Sequence, residues 1–122
     1  MVELTFTALP EHVRTARLVA SAVARRLGVA EDVLEAIRLA VGEACARAVS
    51  RCAEAGVSEP VTVEISEGAR ALVVRVRDFA PVGSGLDAER LSTALVQGLA
   101  QDVQVEEAEA GEGSVLRLTW RL

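Results

Sequence analysis

The sequence predicts an α+β fold, a two-layer α/β sandwich with its helices on one face of a mostly antiparallel sheet. Three observations lead there. Two long segments carry apolar residues at three- and four-residue spacing, and several later ones alternate apolar with polar residues. At 122 residues and 51% hydrophobic content, the chain can also fill one core and is too short for two. Residues 1–122 therefore read as a single domain, and packing helices against one sheet face is the economical way to bury these stripes.

Residues 2–7 (Val-Glu-Leu-Thr-Phe-Thr) alternate as a half-buried strand does. Pro10 suits a first helical turn, where its missing N–H would have no partner anyway. Val13, Ala16, Val19, Ala20, Val23 and Leu27 then form one apolar stripe ended by Gly28, giving a first helix over about 10–27. A second helix starts near Ala30, with Glu31 and Asp32 against its positive end. Val33, Ile37, Ala40, Val41, Ala44 and Ala48 line its inner face, and Gly56 ends it.

After Pro60 the period changes to two: Val61, Val63 and Ile65 alternate with Thr62, Glu64 and Ser66. Glu67–Arg70 reads as a turn and residues 71–78 as the second strand of an antiparallel hairpin. Residues 79–87 are loop-like, 88–100 return to helical spacing, and Val103 and Val105 begin another strand. An acidic turn over 106–113 leads to a last strand with Leu116, Leu118, Trp120 and Leu122 on one face, Trp120 belonging to the core. The order is β-α-α-β-β-α-β-β.

A net charge of −5 gives the surface no general attraction to nucleic acid or anionic lipid. All 13 basic residues are Arg, and the chain contains no Lys, Asn or Tyr. That removes a Walker lysine, a Schiff base, a phenolic acid and any asparagine carboxamide as metal ligand. Three aromatic residues offer no platform for stacked bases. Cys45 and Cys52 are seven apart in one helix, about 10 Å between Cα atoms, too far to bridge, and so read as buried free thiols. No apolar run approaches a membrane span and no signal segment opens the chain, so a reducing cytoplasm is the expected compartment. His12, the single histidine, has no triad or metal pattern around it and reads as a surface residue.

The chemistry-bearing residues fall in two places. Residues 40–51 read Ala-Val-Gly-Glu-Ala-Cys-Ala-Arg-Ala-Val-Ser-Arg, and the strand Val74-Arg75-Val76-Arg77-Asp78 follows. This layout resembles the small anti-sigma-factor kinases of the GHKL ATPase superfamily, whose helix reads Glu-x-x-x-Asn and whose strand ends in Asp before a glycine-rich loop. The resemblance covers the chain from Leu9 to the last strand, through order and spacing more than identity.

The resemblance implies that Glu43 stands where the family has its catalytic base and Arg47 where an Asn holds Mg²⁺ between phosphates. Residues four apart share a helix face, where base and metal can converge on one phosphoryl group. Guanidinium has five donors and no lone pair, so Arg47 cannot be that ligand, and no metal site is expected. The sequence assigns it an i,i+4 ion pair with Glu43 in preference to a phosphate contact. Arg51, where many relatives carry His, reads as a solvated charge near the helix end.

Asp78 matches the family aspartate that accepts a hydrogen bond from the adenine amino group. The family's Asp-x-Gly-x-Gly is here Asp78-Phe79-Ala80-Pro81, so Ala80 takes a glycine's place. The phosphate-side glycines fall on Ala88, Arg90 and Ser92; Gly83-Ser84-Gly85 lies upstream as a substitute phosphate nest, though a Gly-Ser-Gly of this length reads more often as a flexible loop. In the family a first-helix arginine contacts the sigma factor or its antagonist. Arg14 and Arg17 are the candidates, Arg17 by alignment from Glu43, and arginine's planar fork suits such an interface.

Metal ligand, adenine-side glycines and phosphate-side glycines are thus all replaced. The resemblance with these departures implies an anti-sigma-factor-like regulator, a pseudokinase that works by partner switching. It would bind a sigma factor or a STAS-domain anti-anti-sigma protein, as a homodimer or with a related kinase-fold chain, and would need no cofactor. The alternative is an active serine kinase using Mg-ATP, with Arg47 as a phosphate clamp; a partner subunit supplying the missing contacts is a third reading.

Overall fold

The computed structural model describes residues 1–81, 96, 98–107 and 113–122. Among these residues the sheet is antiparallel throughout, five strands in the order β1-β2-β3-β5-β4: β1 (Val2–Phe6), β2 (Val61–Gly68), β3 (Ala71–Asp78), β4 (Asp102–Glu107) and β5 (Ser114–Arg121). Two helices, α1 (Val13–Arg26) and α2 (Glu31–Ala55), pack together and against one face of the sheet. This is the predicted α+β sandwich. The third helix of the predicted order lies largely outside the described residues; Val96, Gly98 and Leu99 are helical.

Alternation fixes which sheet face is covered. Val61, Val63 and Ile65 of β2, Leu72, Val74 and Val76 of β3, and Leu116, Leu118 and Trp120 of β5 are all buried. Register aligns them in rows, Val63 with Val76 and Val76 with Leu116, so that one continuous apolar surface meets the helices. Trp120 is core as predicted, and its Nε1–H donates to Leu99 O at 3.0 Å. The open face carries Arg75 and Arg117, both within 4.0 Å of Glu106.

Each helix presents small residues at four-residue spacing, Ala16, Ala20 and Ala24 on α1 and Ala40, Ala44 and Ala48 on α2, all fully buried. Such ridges let two backbones approach closely. The first helix begins later than predicted: Pro10–His12 is a 3₁₀ turn, which carries the chain into Val13. His12 is half-buried, with its ring 6.3 Å from that of Phe6, rather than a plain surface residue. Gly28 and Gly56 have φ of +76° and +68°, the left-handed conformation expected of residues that stop helices.

Candidate functional site

The far half of α2 is buried on more than its sheet-facing stripe. Arg47, Val49, Arg51 and Cys52 join Ala44, Cys45 and Ala48 among its buried residues. Glu43, Arg47 and Arg51 succeed one another at four-residue spacing and run down one side toward the end of β3. Small neighbours (Ala44, Cys45, Ala46, Ala48, Cys52) leave room beside the helix for two long side chains.

Both arginines depart from their sequence assignments. Among the described residues no ion pair joins Arg47 to Glu43; the Arg47 side chain is buried, at 1% exposure, while Glu43 is half-buried. Arg51 is not solvated at all. It is 2% exposed, and its Nε–H donates to Asp78 Oδ2 at 3.1 Å. Its Nη2 donates to the carbonyls of Ala80 and Pro81 at 3.0 and 3.3 Å. A buried charge needs a counter-charge and filled hydrogen bonds, which this arrangement supplies and an exposed helix end would not require.

Asp78 ends β3 with its side chain fully buried. Its second oxygen, Oδ1, accepts from the Ala80 N–H at 3.0 Å, so both carboxylate oxygens are engaged within the chain. Burial pushes the Asp78 carboxyl up from its ordinary range, against the hydrogen bond and charge of Arg51, the Ala80 N–H and the charge of Arg47. The next strand is shaped around this residue. Asp78 pairs with Ser114, and a side chain on Gly113, whose φ is +83°, would collide with the Asp78 carbonyl. Ala80, the other adenine-side candidate, is fully buried, whereas Gly83 and Gly85 lie outside the described residues, as do Ala88, Arg90 and Ser92.

Cys52 adjoins this site. Burial raises its thiol, the Asp78 charge adds to the rise, and the backbone N–H groups of Phe79 and Ala80 oppose it. Cys45, deeper in the helix, is pushed by burial to about 12. Both are free thiols, as the spacing predicts. Among the described residues no group of three or more His, Cys, Asp or Glu is placed to hold a metal, and no helix is long and apolar enough to cross a membrane.

The other candidates gather elsewhere. Arg14 and Arg17 line a groove of about 330 Å³ between the helices with Leu18, Glu35, Arg38 and Leu39. Leu18 and Leu39 are 53% and 45% exposed, and Arg38 is ion-paired with Glu35. Arg17 lies across Gly42, where an added Cβ would stand 2.5 Å from its Cδ. The glycine thus gives that arginine its bed. Leu39 and Arg38 went unnoticed in the sequence because they sit on the polar side of α2; their signal was an exposed leucine beside a charge pair.

A scan of known families matches residues 6–120 to the histidine kinase-like ATPase domain. The chain is similar to the serine-protein kinase RsbW of Halalkalibacterium halodurans, 33% identical over 73 residues that span 60% of this chain and 45% of that protein. It also superposes along its whole length on part of the crystal structure of the RsbU and RsbW domains of Rv1364c from Mycobacterium tuberculosis. There the TM-score is 0.73 and the identity 20%, over 32% of the solved chain. The chain therefore spans less than half of either relative.

Proposed function

The chain belongs to the histidine kinase-like ATPase domain family, and we propose that within it this protein acts as an anti-sigma-factor-like regulator. In this reading it works by reversible partner binding and neither binds ATP nor transfers phosphate. The observation that carries it is the engagement of Asp78: the acid that would meet the base has both oxygens committed inside the core, one of them to Arg51. Arg47, standing where a metal ligand is needed, brings a buried positive charge and no lone pair. Residues of this kind do not fit a metal-bridged triphosphate, so no step of the mechanism runs through one.

Similarity to a serine-protein kinase named RsbW supports the partner class. The partner is a sigma factor, a STAS-domain anti-anti-sigma protein, or both in competition, and the contact is made through Arg14 and Arg17. Their groove offers two arginine forks beside two exposed leucines, a combination that anchors acidic side chains around an apolar residue. The edge strand β1 and the α1 region serve for pairing with a second copy or a related chain. The setting is cytoplasmic.

The test is to mix the protein with a candidate sigma factor or STAS-domain protein and Mg-ATP. Binding without radiolabel on the partner's serine is the expected result. Transfer of label would establish the alternative, an active kinase in which Glu43 is the base.

A further inference from the structure

Three oxygens converge at the end of β3: Asp78 Oδ2, Ala80 O and Pro81 O all accept from one guanidinium. None can donate, and the remaining carboxylate oxygen is already taken by the Ala80 N–H. Among the described residues the atoms that meet the guanidinium are all acceptors, one of them anionic, and such a set matches a planar cation that has only donors. It does not match the edge of an aminopurine, where a ring nitrogen lone pair lies beside the amino donor and would face an oxygen. The ion pair at its centre is dry, 2% and 0% exposed on its two sides, so a mismatched ligand there would lose the water contacts of its polar edge without replacement.

We propose that the end of β3 is an amidinium-recognition site, built from the Asp78 carboxylate and the Ala80 and Pro81 carbonyls, and that Arg51 fills it as an internal ligand. The proposal rests on the nucleotide-free reading above and deepens it, because the place where that family's base would seek Asp78 is held by a group of different chemistry. Arg51 is then a positioning residue. It binds the first residues beyond β3 to the far half of α2, and does so with the chain's own cation.

Chemical rescue tests this. Arg51→Ala should unfold at a lower temperature than the parent chain and regain part of the loss, saturably, as methylguanidinium chloride is added at millimolar concentration. Equal sodium chloride or urea should not reproduce the gain, nor should the parent chain show it, nor the double variant Arg51→Ala/Asp78→Asn. Adenosine should leave Arg51→Ala unchanged. Stabilisation of Arg51→Ala by adenosine, or a methylguanidinium gain that survives loss of the Asp78 charge, would overturn the proposal while leaving the nucleotide-free reading intact. Saturable stabilisation of the parent chain by ADP or ATP would instead overturn that reading.

Should Arg51→Ala fail to fold, the parent chain itself decides by NMR. The Arg51 Nε–H should exchange with water at least about tenfold more slowly than those of the exposed Arg14 and Arg25. Equal exchange would contradict the assignment.

Discussion

Asp78 without Arg51 loses its hydrogen-bonded cation, and Arg51 without Asp78 loses a buried carboxylate, so the two single substitutions should each be costly. Asp78→Ala takes the carboxylate from a guanidinium that is 2% exposed, and a loss of about 3–5 kcal/mol in urea unfolding is expected. Replacing both, as Arg51→Met/Asp78→Ala, should recover much of that loss, since the buried pair is then removed as a whole. Little of this pair was legible in the sequence. Asp78 stood out as a strand-ending carboxylate, but Arg51 sits at a helix end where arginines are ordinarily solvated, and nothing local signals that the chain beyond β3 folds over it. The available clue was chemical: a carboxylate assigned to a site whose other members were arginines needs one of them as counter-charge. The thiols were more readable. With no Lys and no Tyr in the chain, they are the side chains that titrate on the alkaline limb. Unfolded, Cys45 ionises near 9.0, and folded it keeps its proton to about 12. The folded form therefore binds more protons across that window. The stability this contributes is complete below pH 9 and is lost as pH rises toward 12, by up to about 1.4 kcal/mol per pH unit per thiol. Urea titrations between pH 9 and 11 should show that slope, and Cys45→Ala should flatten it.

At the scale of elements, periodicity located every described helix and strand, because each has one face to bury and a stop of its own. It could not say how those stops are made. The hairpin between β2 and β3 turns through Ala69 and Arg70 at φ of 51° and 59°, a left-handed pair more suited to Asn-Gly. The double replacement Ala69→Asn/Arg70→Gly should raise stability by about 1 kcal/mol, read from the urea midpoint. Between α1 and α2 the informative residue is Gly42, whose missing side chain makes room for Arg17. Gly42→Ala gains helix propensity, on the order of 1 kcal/mol, but pushes the arginine from its bed. The expected outcome is a chain that stays folded by circular dichroism and binds the proposed sigma-factor or STAS-domain partner about tenfold more weakly, as Arg17→Ala should too. Unchanged affinity in both variants would remove Arg17 from the interface.

For the whole molecule, the fold and the site carry separate messages. The sandwich follows from apolar faces that any sequence of this period must cover, which is why order and spacing reveal the family although identity to the solved relative is 20%. Function lies in side chains placed on such a scaffold, and the candidate residues here are engaged internally: Asp78 with Arg51, Arg51 with Ala80 and Pro81, and Arg47 buried in the core. A nucleotide that sought the Asp78 carboxylate would first have to displace Arg51 from it. Isothermal titration calorimetry of the parent chain with ATP and with ADP, each with and without magnesium, addresses this most directly. The account predicts no saturable heat up to millimolar nucleotide; a magnesium-dependent isotherm with one site per chain would contradict it.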